Sequence, residues 1–196
     1  MLKQEPNQQS RIRDSISVQV SLTLIIVYAI FGLLGGDFFS LNLYVAFPFV
    51  QVNSLVRQGW VWMLFTSLFL HANLVHLGGN VLFLLVFGTS LEEQVSRSRW
   101  LTIYLVSGLT GSIAFLLLGP LLGQEIGLGA SGAIYGLLGA AGGLKGAFIM
   151  IFLLGLNLFA GGGEVAHVAG LAVGLAFYYW GNRLARVLGF RSSASI

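Results

Sequence analysis

Apolar residues in this chain do not alternate with polar ones. They gather into long runs, roughly Val18 to Gly35, Leu74 to Leu91, Leu101 to Gly119, Ser131 to Leu144, Gly146 to Leu158 and Val165 to Trp180. Runs of this kind predict helices immersed in hydrocarbon rather than one face packed on a soluble core. A full crossing takes ~20 apolar residues, so the first three runs and the sixth are long enough while the fourth and fifth are short. At 1.5 Å per residue the run Ser131 to Leu144 covers only about 20 Å. One of its ends must then lie below the membrane surface, where irregular backbone is tolerated only if protein buries it or it lines a wet cavity. Trp60 to Leu70 is too short to add a seventh span, and the polar break His71, Ala72, Asn73 follows it. Residues 37–70 are therefore expected to form a large loop. Phe38, Phe39, Tyr44, Phe47, Phe49, Trp60 and Trp62 suit headgroup depth, although their composition fits an extramembrane loop equally well. The pattern predicts an all-α membrane protein, a compact bundle of six transmembrane helices with a large interfacial first outer loop.

Composition narrows the function classes. Of 196 residues, 56% are hydrophobic and only 9% charged, whereas a soluble domain carries about a quarter charged residues. That excludes a cytosolic enzyme, a disordered chain and a nucleic-acid module. With no cysteine there is no disulfide framework, thiolate nucleophile or Cys-ligated zinc. Residues 1–16 are polar and of mixed charge, unlike a secretory signal, so the first apolar run is expected to stay in the protein. If the N-terminus is cytoplasmic, six spans place Lys3, Arg11, Arg13, Arg97, Arg99, Lys145, Arg183, Arg186 and Arg191 on the cytoplasmic side and Arg57 alone outside. This positive-inside bias predicts a multi-pass protein, expected in the cell membrane, with both termini cytoplasmic. It also accounts for the net charge of +3 without an acidic partner.

Six spans put His71, His76, His167 and Ser131 at one depth, towards the outer side. Ionisable groups inside spans are costly and default to function, whereas a serine or a glycine there can serve helix packing alone. Ser131 opens a short helix behind the Gly-rich stretch Gly119 to Gly129, where backbone can approach a ligand closely. Gly132 and Gly136, then Gly139 and Gly143, are small-xxx-small pairs. On the sixth run His167, Gly170, Gly174 and Tyr178 share one face, and packing these faces brings His167 towards Ser131. A serine and a neutral histidine in hydrogen-bond reach form a nucleophile and general base. Glu164, three residues before His167, could orient the imidazole, and Tyr135, one turn from Ser131, could stack on it or hydrogen-bond it. A dyad without an acidic member is the preferred reading. His76 and Asn80 are spaced i, i+4, and with the Ser131 backbone amide could hold a developing oxyanion. The rival reading, a zinc site, is poorly supported: His71 and His76 are five apart and no His-Glu-x-x-His pattern occurs. No cofactor or metal is called for.

These residues resemble the rhomboid intramembrane serine proteases over nearly all of Trp60 to Tyr178. The resemblance is carried by Gly-Ala-Ser-Gly at 129 to 132 with Tyr135, His76-Leu-x-x-Asn80, Ala166-His167-x-x-Gly170 followed by Gly174, and Phe69-Leu70-His71. Gly88-x-x-x-Glu92 and Tyr104-Leu-x-Ser-Gly108 add to it. It implies a rhomboid-like six-helix membrane domain at 17–188, between a cytoplasmic segment 1–16 and a cytoplasmic tail 189–196. It implies Ser131 as nucleophile, His167 as base, and His76 and Asn80 as oxyanion stabilisers, with Gly129, Gly132, Tyr135, Gly170 and Gly174 supporting them. It also implies transmembrane protein substrates in the lipid bilayer, cut in or near the span, often after a small residue. Two departures stand out. Met63 follows Trp62 where the family commonly has arginine, which puts the usual loop hydrogen bonds in doubt, and Ser96 stands where glycine is common. Met63→Arg is expected to change stability or rate only modestly. The alternatives are a non-catalytic rhomboid-like protein that binds membrane helices, or a small membrane transporter. The second lacks the inverted repeats and intramembrane carboxylates it would need.

Overall fold

The computed structural model describes residues 14–155 and 163–187. The expectations for segment 1–13, for the end of the fifth apolar run and the loop at 160–162, and for the tail 189–196 lie outside the described residues. The long helices are α1 (Ile16–Gly35), α2 (Leu74–Glu92), α3 (Arg97–Leu118), α4 (Ser131–Gly155) and α5 (Glu164–Val187). Local chemistry sets their ends. Ser15 caps α1 by accepting from the Val18 N–H, and Gly36 closes it in the left-handed region at φ 71°. Asn73 caps α2 by accepting from the His76 N–H at 2.8 Å. Ser96, in place of the commoner glycine, caps α3 by accepting from the Arg99 N–H.

Among the described residues, four helices are long and apolar enough to cross a membrane: α1, α2, α3 extended to Leu122, and α4 as far as Ile149. The last of these is bent. Gly143 takes φ 53° and ψ −133° inside α4, and a Cβ added at Gly146 would lie 2.6 Å from the Leu138 carbonyl oxygen. In a straight helix those residues would stand about 12 Å apart, so the chain folds back at Gly143. The division of this region into two short runs has its cause there. Helix α5 is outside the set of four.

Side chains on the outside are as apolar as those inside. Leu22, Ile26, Leu33, Val75, Leu117, Phe148 and Trp180 are exposed while Leu24, Leu84, Trp100, Tyr104 and Leu137 are buried. In water such a surface would be unstable; in hydrocarbon it costs nothing, and packing and polar contacts decide which faces meet. One polar contact ties the base of the bundle. The Glu92 carboxylate at the end of α2 accepts from the Ser15 hydroxyl at 3.1 Å and from the Ser17 N–H at 2.6 Å, and also from the Ser17 hydroxyl. The Trp100 indole donates to the Gly88 carbonyl at 2.9 Å. Gly88 has no room for a side chain, because a Cβ there would strike Ser17.

Residues 37–70 are folded, with short helices Leu43–Ala46, Asn53–Arg57 and Met63–Thr66 and a strand Gln51–Val52 that pairs antiparallel with Ile126–Gly127. The loop keeps an extensive set of hydrogen bonds without an arginine at 63. The Arg57 guanidinium donates to the Leu116 carbonyl at 2.9 Å, the Trp62 indole to Pro48 at 3.0 Å and the Thr66 hydroxyl to Phe49 at 2.8 Å. Met63 itself is fully buried. That burial points to a larger effect than the modest one expected, because Met63→Arg must find room and polar partners for a guanidinium. An uncompensated buried charge costs on the order of 3–5 kcal/mol. The variant should unfold far below the wild-type temperature in detergent micelles, and a midpoint within a few degrees of wild type would contradict this packing.

Candidate active site

The serine and the histidine meet because two glycine-lined helices approach to backbone contact. A Cβ on Gly170 of α5 would run into the Gly132 carbonyl of α4, and one on Gly174 into the Gly136 carbonyl. Gly139 lies against Leu171, and Gly143 against the Tyr178 ring. Two faces read from spacing alone are thus the faces in contact, and α5 also packs on α3. With the helices this close, His167 Nε2 lies 2.7 Å from Ser131 Oγ. The imidazole is buried and the Tyr135 ring stacks on it obliquely, with centroids 4.7 Å apart and planes 37° apart. A hydroxyl at that distance from an imidazole nitrogen has the geometry that a nucleophile and its general base require.

The approach to Ser131 is shaped by Gly129, at φ +120°, a conformation that side chains disfavour. The Gly129 N–H donates to the Ser67 carbonyl at 2.9 Å, which ties this turn to the loop at 37–70. A Cβ there would sit 2.7 Å from His76 Nε2, so the His76 ring borders the turn that delivers Ser131. Its other nitrogen, Nδ1, accepts from the Ala72 N–H at 3.4 Å. That contact favours the tautomer with its proton on Nε2, towards the serine. Asn80, also buried, donates from Nδ2 to the His76 carbonyl at 2.8 Å, leaving the second N–H of that nitrogen for another acceptor. His71 is fully buried with its ring edge-to-face to His76 at 5.0 Å. Burial, reinforced by the neighbouring His76, pulls its imidazole down to about 3, so it is uncharged at neutral pH.

The structure therefore brings together Ser131, His167, Tyr135, His76, Asn80, Gly129, Gly132, Gly170 and Gly174, and adds His71 behind His76. Glu164 opens α5 at the exposed rim and accepts from Gln124 Nε2 at 3.2 Å. Residues whose importance the spacing did not signal are Ser15 and Ser17 at Glu92, and the buried pair Gln51 and Asn53. A small polar residue beside Gly88 and Glu92 could have been sought for the first. For the second, two carboxamides in a loop give no periodic signal.

Part of the chain is similar to known proteins. Residues 58–145 match the Rhomboid domain family model, a stretch that holds His71, His76, Asn80 and Ser131 and stops short of His167. The chain is 46% identical over 88 residues to the rhomboid protease GluP of Bacillus subtilis (strain 168), covering 45% of this chain and 17% of that protein. It is 35% identical over 138 residues to RHOMBOID-like protein 6, mitochondrial, of Arabidopsis thaliana, covering 62% and 44% respectively. To RHOMBOID-like protein 7 of the same plant it is 43% identical over 88 residues, or 45% and 27%. The matches span less than half the length of these relatives. With several apolar helices long enough to span a bilayer and residues 58–145 similar to the Rhomboid domain, this chain is an integral membrane protein with a rhomboid-like segment.

Proposed function

We propose that this protein is an intramembrane serine endopeptidase that hydrolyses peptide bonds in or near the transmembrane segments of membrane-protein substrates. The observation that carries the reading is the 2.7 Å contact between His167 Nε2 and Ser131 Oγ, made where two glycine-lined helices approach to backbone contact. In this reading His167 takes the serine proton as Oγ attacks the scissile carbonyl, then returns it to the leaving amine. The oxyanion is held by His76 Nε2–H, the free N–H of Asn80 Nδ2 and the Ser131 amide, each typically worth ~3 kcal/mol. The kinship with a protein named as a rhomboid protease supports it. A purely helix-binding protein would have no need of a serine aligned on a buried imidazole.

The six-span arrangement, with both termini cytoplasmic and the site open to the outer face, belongs to the same proposal and rests on the charge asymmetry. Hydrolysis consumes water, so the site must reach a wet face. A substrate helix offers no free carbonyl until it unwinds, which Gly or Pro near its outer end promotes. The test is co-reconstitution in liposomes with single-span substrates whose outer half is Leu-rich or carries Gly and Pro. Single cysteines replacing Ser98 and Gly123 report which side each faces. The expected result is cleavage of the interrupted span well above the Leu-rich one, with the two cysteines labelled from opposite sides. Equal cleavage would remove the unwinding requirement, and labelling of both from one side would remove the topology.

A further inference from the structure

Three carboxamides outside the Ser131 and His167 pair join the elements that carry it. Gln51 and Asn53 are buried in the loop at 37–70. Gln51 Nε2 donates to Asn53 Oδ1 and to the Ser112 carbonyl, both at 2.9 Å. Asn53 Nδ2 donates to the Phe115 carbonyl at 3.2 Å and to the Gln124 carbonyl at 3.3 Å. The loop thereby adds side-chain donors to two carbonyls in the last turns of α3, of which Phe115 also accepts from the Gly119 N–H, and grips the segment that follows. That segment is the short strand ahead of Gly129, held in register by Gln51 opposite Gly127 and Val52 opposite Ile126. Gln124 then reaches the other way, its Nε2 donating to the Glu164 carboxylate at 3.2 Å. Glu164 begins α5 one turn before His167, whose N–H bonds the Gly163 carbonyl at 3.0 Å.

We propose that Gln51, Asn53 and Gln124 are positioning residues, a carboxamide clamp that fixes the strand ahead of Ser131 to the first turn of the helix bearing His167. The inference rests on the dyad reading of those two residues. Apolar contact alone leaves helices free to slide by a fraction of an ångström, whereas directional hydrogen bonds to named carbonyls set one register. Reaction geometry is sensitive on that scale, since a displacement of about 1 Å can cost ~10²-fold in rate.

The test uses the link at the exposed rim, where variants can fold. Gln124→Glu sets two carboxylates together and removes the donor. Glu164→Gln added to it exchanges donor and acceptor and rebuilds the bond. The full-length protein in detergent micelles is assayed for the rate at which a fluorophosphonate modifies Ser131, and for amide hydrogen exchange across residues 124–130. Gln124→Glu should slow modification about tenfold, within the range such misplacement allows, and speed exchange; the double variant should bring both back to near wild type. Unchanged rate and exchange in Gln124→Glu would overturn the clamp. So would a double variant as slow as the single, or one that restores exchange but not rate. A wild-type Ser131 inert to the probe would instead remove the dyad reading. The exchange comparison would then decide the clamp alone, with restoration by the swap supporting it and no change overturning it.

Discussion

Ser131→Ala is expected to abolish proteolysis while leaving the fold intact, lowering turnover by at least about 10³-fold, to the floor of any liposome assay. The serine hydroxyl contributes one hydrogen bond, to His167, worth about 1 kcal/mol, so the thermal midpoint should barely move. His167 differs in this respect. Its ring is buried and stacked on Tyr135, so His167→Ala leaves a cavity and should cost about 2–3 kcal/mol besides activity. His167→Gln fills most of that space and is the cleaner variant. Because the two side chains act as a unit, the double variant should be no slower than either single one. Activity in Ser131→Ala above the assay floor would mean another nucleophile.

Gly170→Val should be the most disruptive single change for folding. Its new Cβ would run into the Gly132 carbonyl, and neither backbone can give way without separating α4 from α5. Overpacking of this kind costs about 3 kcal/mol or more, and it would also pull His167 off Ser131. The matched control is Gly79→Ala on α2, where a Cβ meets nothing within 4 Å. There the helix gains up to about 1 kcal/mol from alanine's higher propensity. Unfolding midpoints in micelles check both. If Gly170→Val and Gly79→Ala gave equal midpoints, the close approach of α4 and α5 would be wrong.

The approach of His167 to Ser131 in the candidate site was legible in the sequence because helical periodicity places it. Gly132 and Gly136 against His167, Gly170 and Gly174 predict two faces, and each glycine proves to touch the carbonyl or side chain of the other helix. Short apolar runs on either side of Lys145 likewise foretold an interruption, and Gly143, two residues earlier, supplies it. What escaped has no period. Gln51 and Asn53 bond carbonyls some sixty positions away, and nothing local to the loop distinguishes them from solvated amides. Ser17 reaches Glu92 across a gap of |i−j| = 75, at a helix end where a serine reads only as a cap. Met63 was judged by the residue it replaces rather than by its surroundings, and its complete burial raises the cost expected of arginine there.

The central claim is that Ser131 is a nucleophile activated by His167. The most direct measurement is to react the purified protein with a fluorophosphonate and map the adduct by mass spectrometry, in wild type and in His167→Gln. The account predicts one adduct, on Ser131, formed in wild type and slowed by orders of magnitude in the variant. An adduct on another residue, or equal labelling of Ser131 without the histidine, would contradict it.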